Sequence, residues 1–125
     1  MSLVYSGGLS HAPGITGRAN LVDNTDKRDE FYAALQNQRS EITASGAEAI
    51  IVIAAEHFVN FFMNNMPAYC IGIGENYTGP IEDPAWLGIE KTSIPGAPDL
   101  GKRLTKNIMQ PVDVAYSEEW KFDHG

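Results

Sequence analysis

The chain has 125 residues, a net charge of −7 at neutral pH and a hydrophobic fraction of 43%. This length suits one domain whose core is stable without cross-links. The acidic balance argues against nucleic-acid binding, which needs a clustered basic face, and no run of about eighteen apolar residues indicates a membrane span. The single cysteine, Cys70, excludes an internal disulfide and is typical of a reducing compartment, so we expect a cytoplasmic protein.

Apolar runs and capping residues predict alternating strands and helices. Four short runs rich in apolar residues predict strands buried in a sheet, at residues 3–9, 49–55, 68–74 and 112–116. Two segments predict helices, one from Asn24 or Thr25 to Gly46 and one over residues 98–109. The first strand, the first helix and the second strand would form a right-handed βαβ unit. The predicted fold is therefore α/β, with a mainly parallel (mixed) central sheet flanked by helices.

Two segments are left without a simple regular pattern. Residues 57–67 are rich in aromatic residues and asparagine, which is typical of a short helix or of an irregular pocket wall. Residues 75–98 are punctuated by proline and glycine and predict a long loop. Loops of that length in a small domain usually cover a site or contact a partner.

The three histidines occupy matching positions along the chain. His11, His57 and His124 each follow a predicted strand. Loops at the carboxyl ends of parallel strands converge on one crevice, where ligands bind. Because imidazole is the commonest metal ligand and a common acid or base near neutral pH, the arrangement predicts a metal-dependent catalytic site at that edge of the sheet.

Each histidine can be interpreted either as a site residue or as an ordinary structural residue. His11 and His57 with one carboxylate would match the facial triad of non-haem Fe(II) oxygenases. Neither belongs to a compact metal-binding motif, and His11 could cap a turn while His57 stacks on an aromatic neighbour. His124 beside Asp123 could be an acid or base held by a carboxylate, or part of a polar loop. These alternatives remain open at the level of residue chemistry.

Five short motifs occur in an order that resembles the class III extradiol ring-cleavage dioxygenases. They are Ser-His-Ala-Pro at 10–13, Glu-His-Phe at 56–58, Met-Pro-Ala-Tyr-Cys-Ile-Gly at 66–72, Ile-Pro-Gly with Pro-Asp-Leu within 94–100, and Asp-His-Gly at 123–125. The resemblance covers nearly the whole chain. Each motif is short, and their specificity lies in the order in which they occur.

The resemblance implies a set of site residues. Fe(II) would be held by His11 and His57, with His124 near substrate and O₂ and Asp123 beside it. Glu56 stands where members of the family often carry aspartate, and the charge is kept. The family's third iron ligand, a glutamate, and its catalytic base, a histidine, lie further downstream in a longer chain. We therefore expect residues 1–125 to be the N-terminal part of one catalytic domain, inactive alone.

The implied function is Fe(II)-dependent extradiol cleavage of a catechol-type aromatic acid with O₂. A homo-oligomer is expected because apolar sheet surface would otherwise stay uncovered. The rival interpretation is a non-catalytic α/β binding or interaction module that keeps the fold, and a third is a metal-dependent enzyme with different chemistry. Four aromatic residues are either walls of a substrate pocket or part of the core: Phe58, Phe61, Phe62 and Tyr69.

Overall fold

The computed structural model describes residues 2–124. Its elements in chain order are α1 (Gly14–Gly17), a 3₁₀ turn (Ala19–Leu21), α2 (Thr25–Ala44), β1 (Cys70–Gly72), β2 (Asn76–Gly79), α3 (Pro84–Leu87), β3 (Thr92–Pro95), α4 (Pro98–Ile108) and β4 (Ala115–Ser117). The α/β class is confirmed, although the parallel sheet is small. No helix in this part of the chain is both long and apolar enough to cross a membrane.

The strands form two separate pairs. β1 and β4 are parallel, with Cys70 opposite Ala115 and Gly72 opposite Ser117. β2 and β3 are antiparallel, with Asn76 opposite Pro95. The two pairs are connected along the chain by α4, which follows β3 and packs against β1. The prediction of a parallel arrangement therefore holds for β1 and β4 alone.

Helix α2 follows the predicted local signals closely. The side chain of Asn24 caps the helix by accepting a hydrogen bond from the backbone N–H of Lys27 at 2.9 Å. Asp26 lies in the first turn, where a negative charge favours the positive end of the helix. The helix ends at Ala44, and Gly46 then adopts a positive φ of 68°. Both ends lie within two residues of the prediction.

Helix α4 also forms as predicted, over Pro98–Ile108. Proline is favoured in the first turn because its missing N–H would have no partner there. Gly101 and Thr105, one turn apart, are buried on the face that meets β1. The small side chain at position 101 matters, because a Cβ there would lie 2.6 Å from the carbonyl oxygen of Gly72.

Two predicted strands are wrong for this structure. Residues 3–9 and 49–55 form no strand among the described residues. The large apolar side chains Leu3, Val4, Leu9 and Ile50–Ile53 are exposed, from 52% for Val4 to 90% for Ile53. An apolar run becomes a strand only when a neighbour completes its backbone hydrogen bonds, and β1 and β4 pair only with each other. The predicted βαβ unit around α2 is therefore not formed.

The prediction of one long loop over residues 75–98 is also wrong. That segment holds β2, α3 and β3. Its regularity comes from the pairing of β2 with β3, two runs too short and too polar to be recognised by their periodicity. Residues 57–67 form neither a helix nor a strand. Of the two predicted alternatives, a short helix or an irregular segment, the structure has the irregular segment.

The buried hydrophobic residues of the described chain are Ile73, Tyr77 and Leu87. Tyr77 is 9% exposed, and its hydroxyl accepts a hydrogen bond from the backbone N–H of Gly74 at 2.7 Å. The ring lies so close to Gly72 and Gly96 that a Cβ would fall 2.6 Å from its hydroxyl oxygen and 2.8 Å from its Cε2, respectively. Glycine is therefore required around this ring for steric reasons.

We predict that Gly96→Ala destabilises the fold by about 1–3 kcal/mol, the usual cost of overpacking. The added methyl would meet the carbonyl oxygen of Gly74 at 2.1 Å as well as the Tyr77 ring. Gly8→Ala is the matched control, because its Cβ meets nothing within 4 Å. Urea unfolding of both variants gives the comparison, and equal midpoints would contradict the steric argument.

Candidate metal and catalytic site

Three imidazole rings from distant parts of the chain lie together. The ring centroids of His11 and His57 are 5.1 Å apart, those of His57 and His124 are 4.6 Å apart, and those of His11 and His124 are 6.1 Å apart. One ring nitrogen from each lies within 4.8 Å of the other two. This spacing is close to twice a metal–nitrogen bond of roughly 2.1 Å, so the donor set suits a shared ion.

A nearly buried carboxylate braces His57. Nδ1 of His57 lies 2.8 Å from Oδ2 of Asp123, whose side chain is 10% exposed. An ionised carboxylate only accepts hydrogen bonds, so Nδ1 carries the proton and Nε2 keeps its lone pair. Metal-bound histidines almost always donate their second ring N–H to a carboxylate, a backbone carbonyl or water. His57 therefore fits the role of a ligand through Nε2.

A second carboxylate braces His124. Nδ1 of His124 lies 2.7 Å from Oε1 of Glu82, and the backbone N–H of His124 donates to the same oxygen at 3.1 Å. Burial raises the pKa of the Glu82 carboxyl, but hydrogen bonds from the His124 ring and from the backbone N–H groups of Glu82 and His124 together hold that pKa below its usual range. Glu82 is therefore an anion at neutral pH, and Nε2 of His124 is left free on the other side of the ring.

The turn that carries His57 is held by its neighbour Glu56. The Glu56 carboxylate accepts hydrogen bonds from the backbone N–H groups of residues 58–61, at 2.5 to 3.4 Å. Burial raises the pKa of Glu56, but these backbone donors together hold it below its usual range. The turn includes Phe58 in a left-handed conformation, with φ of 61°. Such a conformation persists only where surrounding bonds impose it.

Two site residues lie in the segment predicted as a loop and were missed. Glu82 is one, and Trp86 is the other, with its ring 6.2 Å from that of His124 in an edge-on contact. The adjacent Asp83 caps α3 by accepting from the backbone N–H of Ala85 at 2.9 Å. The sequence does contain a signal for Glu82, because two acidic residues, Glu82 and Asp83, precede Pro84 at the start of α3. A helix needs only one of them as its cap, so the other is available for a different role.

Asp123 has a different partner from the one its sequence position suggests. It pairs with His57, and the carboxylate that holds His124 is Glu82. The histidines do meet, but His11 and His57 do not follow strands among the described residues. The site therefore does not lie at the carboxyl ends of four parallel strands, as the sequence suggested.

The four aromatic residues predicted for the pocket do not surround the histidines. Phe58, Phe62 and Tyr69 are more than half exposed, and Phe61 packs against Trp120 with centroids 5.5 Å apart. None of the four makes a ring contact with a histidine within residues 2–124. Their role in a pocket stays a prediction.

A cavity of about 240 Å³ adjoins the cluster on the Trp86 side. Pro13, Gly14, Arg18 and Trp86 line it. Its walls are fixed to each other, because the Thr16 hydroxyl in α1 donates to the carbonyl of Leu87 in α3 at 2.5 Å.

Comparison with known proteins places the chain in a family. The family model for the catalytic LigB subunit of aromatic ring-opening dioxygenase matches residues 5–125, and the chain belongs to this family. It is similar to 2,3-dihydroxyphenylpropionate/2,3-dihydroxicinnamic acid 1,2-dioxygenase from Cupriavidus necator, with 32% identity over 122 residues. The protein of the same name from Escherichia coli is 27% identical over 119 residues.

Both matches cover 94% of this chain and 35% of the relative, so the chain spans about a third of the length of these curated relatives. No solved structure matches the chain. The resemblance drawn from the five motifs is confirmed by the family match.

We predict that Glu56→Ala loosens the His57 turn. Removing an acceptor of four backbone hydrogen bonds should speed amide exchange at residues 58–61 by roughly 10- to 100-fold. Glu56→Gln should have a smaller effect, because its carbonyl oxygen can replace Oε1, which receives three of the bonds. The control is Glu48→Ala, at an exposed site. Unchanged exchange in Glu56→Ala would show that the turn is held by other contacts.

Proposed function

We propose that this chain is the N-terminal part of the catalytic domain of a non-haem Fe(II)-dependent extradiol dioxygenase, which cleaves a catechol-type aromatic acid with O₂. The observation that carries the proposal is the meeting of three imidazoles, two of them braced by carboxylates. Membership of a ring-opening dioxygenase family supports it. The names of the relatives, which refer to dihydroxyphenylpropionate, support an aromatic acid with two adjacent hydroxyl groups.

His11 and His57 would hold the iron. Bound Fe(II) would supply the redox-active centre that lets a catecholate and O₂ exchange electrons. His57 offers Nε2, because its Nδ1–H is committed to Asp123. His11 is exposed, so its ring can turn toward the same point with little obstruction.

His124 would handle a proton beside that centre. Its Nδ1–H is donated to Glu82, so Nε2 is the atom that can accept a proton or, once protonated, return it. That atom would deliver a proton to oxygen as the oxygen–oxygen bond breaks and the ring opens. Trp86 lies against one side of His124, with the two ring planes nearly perpendicular and their centroids 6.2 Å apart.

We predict opposite patterns for two histidine variants of the complete protein. His57→Ala should lose bound iron and turnover together, because a ligand is removed. His124→Ala should keep its iron and lower turnover by about 10²–10⁴-fold, the usual contribution of a positioned acid or base. Iron is measured after anaerobic loading, and ring opening is followed by the yellow product with protocatechuate, gallate and 2,3-dihydroxyphenylpropionate.

Two results would contradict this assignment. Loss of iron in His124→Ala would make His124 a ligand rather than an acid. Iron binding by the wild type with no ring opening on any of the three substrates would favour a non-catalytic binding module.

Asp123→Asn should weaken iron binding by roughly 10- to 100-fold, the usual effect of removing the carboxylate behind a metal-bound histidine. The contact with His57 at 2.8 Å is the reason to expect an effect on affinity. Competition with a chelator measures it. If iron affinity were unchanged while turnover fell, Asp123 would act on the reaction through another route.

A further inference from the structure

We propose that Glu82 is a positioning residue for His124: it fixes which ring nitrogen carries the proton and the direction in which the other nitrogen points. The inference rests on the proposed function and deepens it, since Glu82 lies outside every motif that carries the family resemblance. Three independent features of the structure support it.

The first feature is the geometry of the contact. One oxygen, Oε1, receives both the side-chain Nδ1 of His124 at 2.7 Å and its backbone N–H at 3.1 Å. Two bonds to one residue fix the ring relative to its own backbone, so χ1 and χ2 of His124 have little freedom. The edge-on contact with Trp86 further restricts rotation of the ring.

The second feature is the backbone frame that brings the two residues together. The N–H of Ile81 donates to the carbonyl of Phe122 at 2.8 Å, and the N–H of Phe122 donates to the carbonyl of Thr78 at 3.2 Å. The segment leading to Glu82 and the segment leading to His124 therefore run side by side. Glu82 and His124 are 42 positions apart in sequence, and paired backbone segments bring them together.

The third feature is the second carboxylate oxygen of Glu82. Oε2 of Glu82 is buried without a hydrogen-bond partner within residues 2–124. A buried unpaired acceptor is unfavourable, so Oε2 adds no hydrogen-bond stability among the described residues. The neighbouring Asp83 has such a structural role, since it caps α3. Beyond the backbone N–H of Glu82 itself, the donors to the Glu82 carboxylate belong to His124, which points to a role exerted through His124.

The test uses the complete iron-loaded protein with four forms: wild type, Glu82→Met, Glu82→Gln and Asp83→Asn. Methionine keeps the length of the side chain and removes the acceptor. Glutamine keeps an oxygen that can accept both bonds from His124. Asp83→Asn removes one negative charge at the adjacent position and keeps the helix cap, because asparagine caps as well as aspartate.

We expect Glu82→Met to lower kcat by roughly 10- to 100-fold, the range seen when the hydrogen-bond partner of a site histidine is removed. KM and iron content should change by less than about threefold, because Glu82 would act only through the ring of His124. Glu82→Gln should recover most of kcat, and Asp83→Asn should match the wild type. Wild-type kcat in Glu82→Met, or equal losses in Glu82→Met and Asp83→Asn, would overturn the proposal.

A second readout does not need activity. Long-range ¹H–¹⁵N spectra of the iron-free protein, labelled at histidine and held at about pH 8.5 so that the rings are neutral, report which nitrogen of His124 carries the proton. We expect Nδ1–H in the wild type and in Glu82→Gln, and a mixture of both forms in Glu82→Met.

The kinetic and the spectroscopic measurements together distinguish the role of Glu82 from the proposed function of the protein. A wild-type His124 protonated on Nε2 would overturn the role of Glu82 even if the enzyme cleaves catechols. A protein that cleaves no catechol but shows the expected Nδ1–H pattern would contradict the proposed function and leave the role of Glu82 supported. If Glu82→Met fails to fold, Glu82→Gln decides: a mixed proton position in that variant would contradict the proposal.

Discussion

The pairing of shielded carboxylates with imidazoles is the interaction on which this site depends. A carboxylate removed from water is stable as an anion only when donors surround it. Asp123 and Glu82 are 10% and 16% exposed, and each finds its donor in a histidine ring. Each pair in turn fixes the ring, so that its Nε2 is the free nitrogen. The backbone contacts between residues 78–81 and 121–122 place both pairs where the rings can meet.

The proposed function gives the two pairs different roles. Asp123 acts on the histidine assigned to the metal, where a nearby negative charge strengthens the ligand. Glu82 acts on the histidine assigned to the proton, where orientation matters most. Together the two carboxylates carry a charge of −2, which would match a divalent ion bound between neutral imidazoles. An acidic chain with a net charge of −7 is therefore compatible with a cation at its centre.

The parts of the fold that were predicted from sequence are those encoded locally. Asn24 caps α2 through a bond to a residue three positions away, and Pro98 begins α4, so both helices were found. The strands at 3–9 and 49–55 were wrong because an apolar run carries no information about which neighbour completes its hydrogen bonds.

The histidines of the site were predicted because their motifs are distinctive in order. Glu82 was not, because its partner lies far along the chain and nothing in its own surroundings separates it from Asp83. Glu82 holds the ring of His124, and the next residue, Asp83, caps a helix. That distinction exists only in three dimensions.

The glycines around Tyr77 have a consequence for how the protein can change. Tyr77 belongs to β2, and β2 leads directly to Glu82 and lies beside the segment that ends in His124. A side chain added at Gly72 or Gly96 would press on the Tyr77 ring and shift that strand. A substitution at these positions would therefore disturb the histidine cluster as well as the packing around Tyr77. Variants that reshape the cavity are therefore better made at Arg18, while the support of the Tyr77 ring and the contact of Trp86 with His124 are left unchanged.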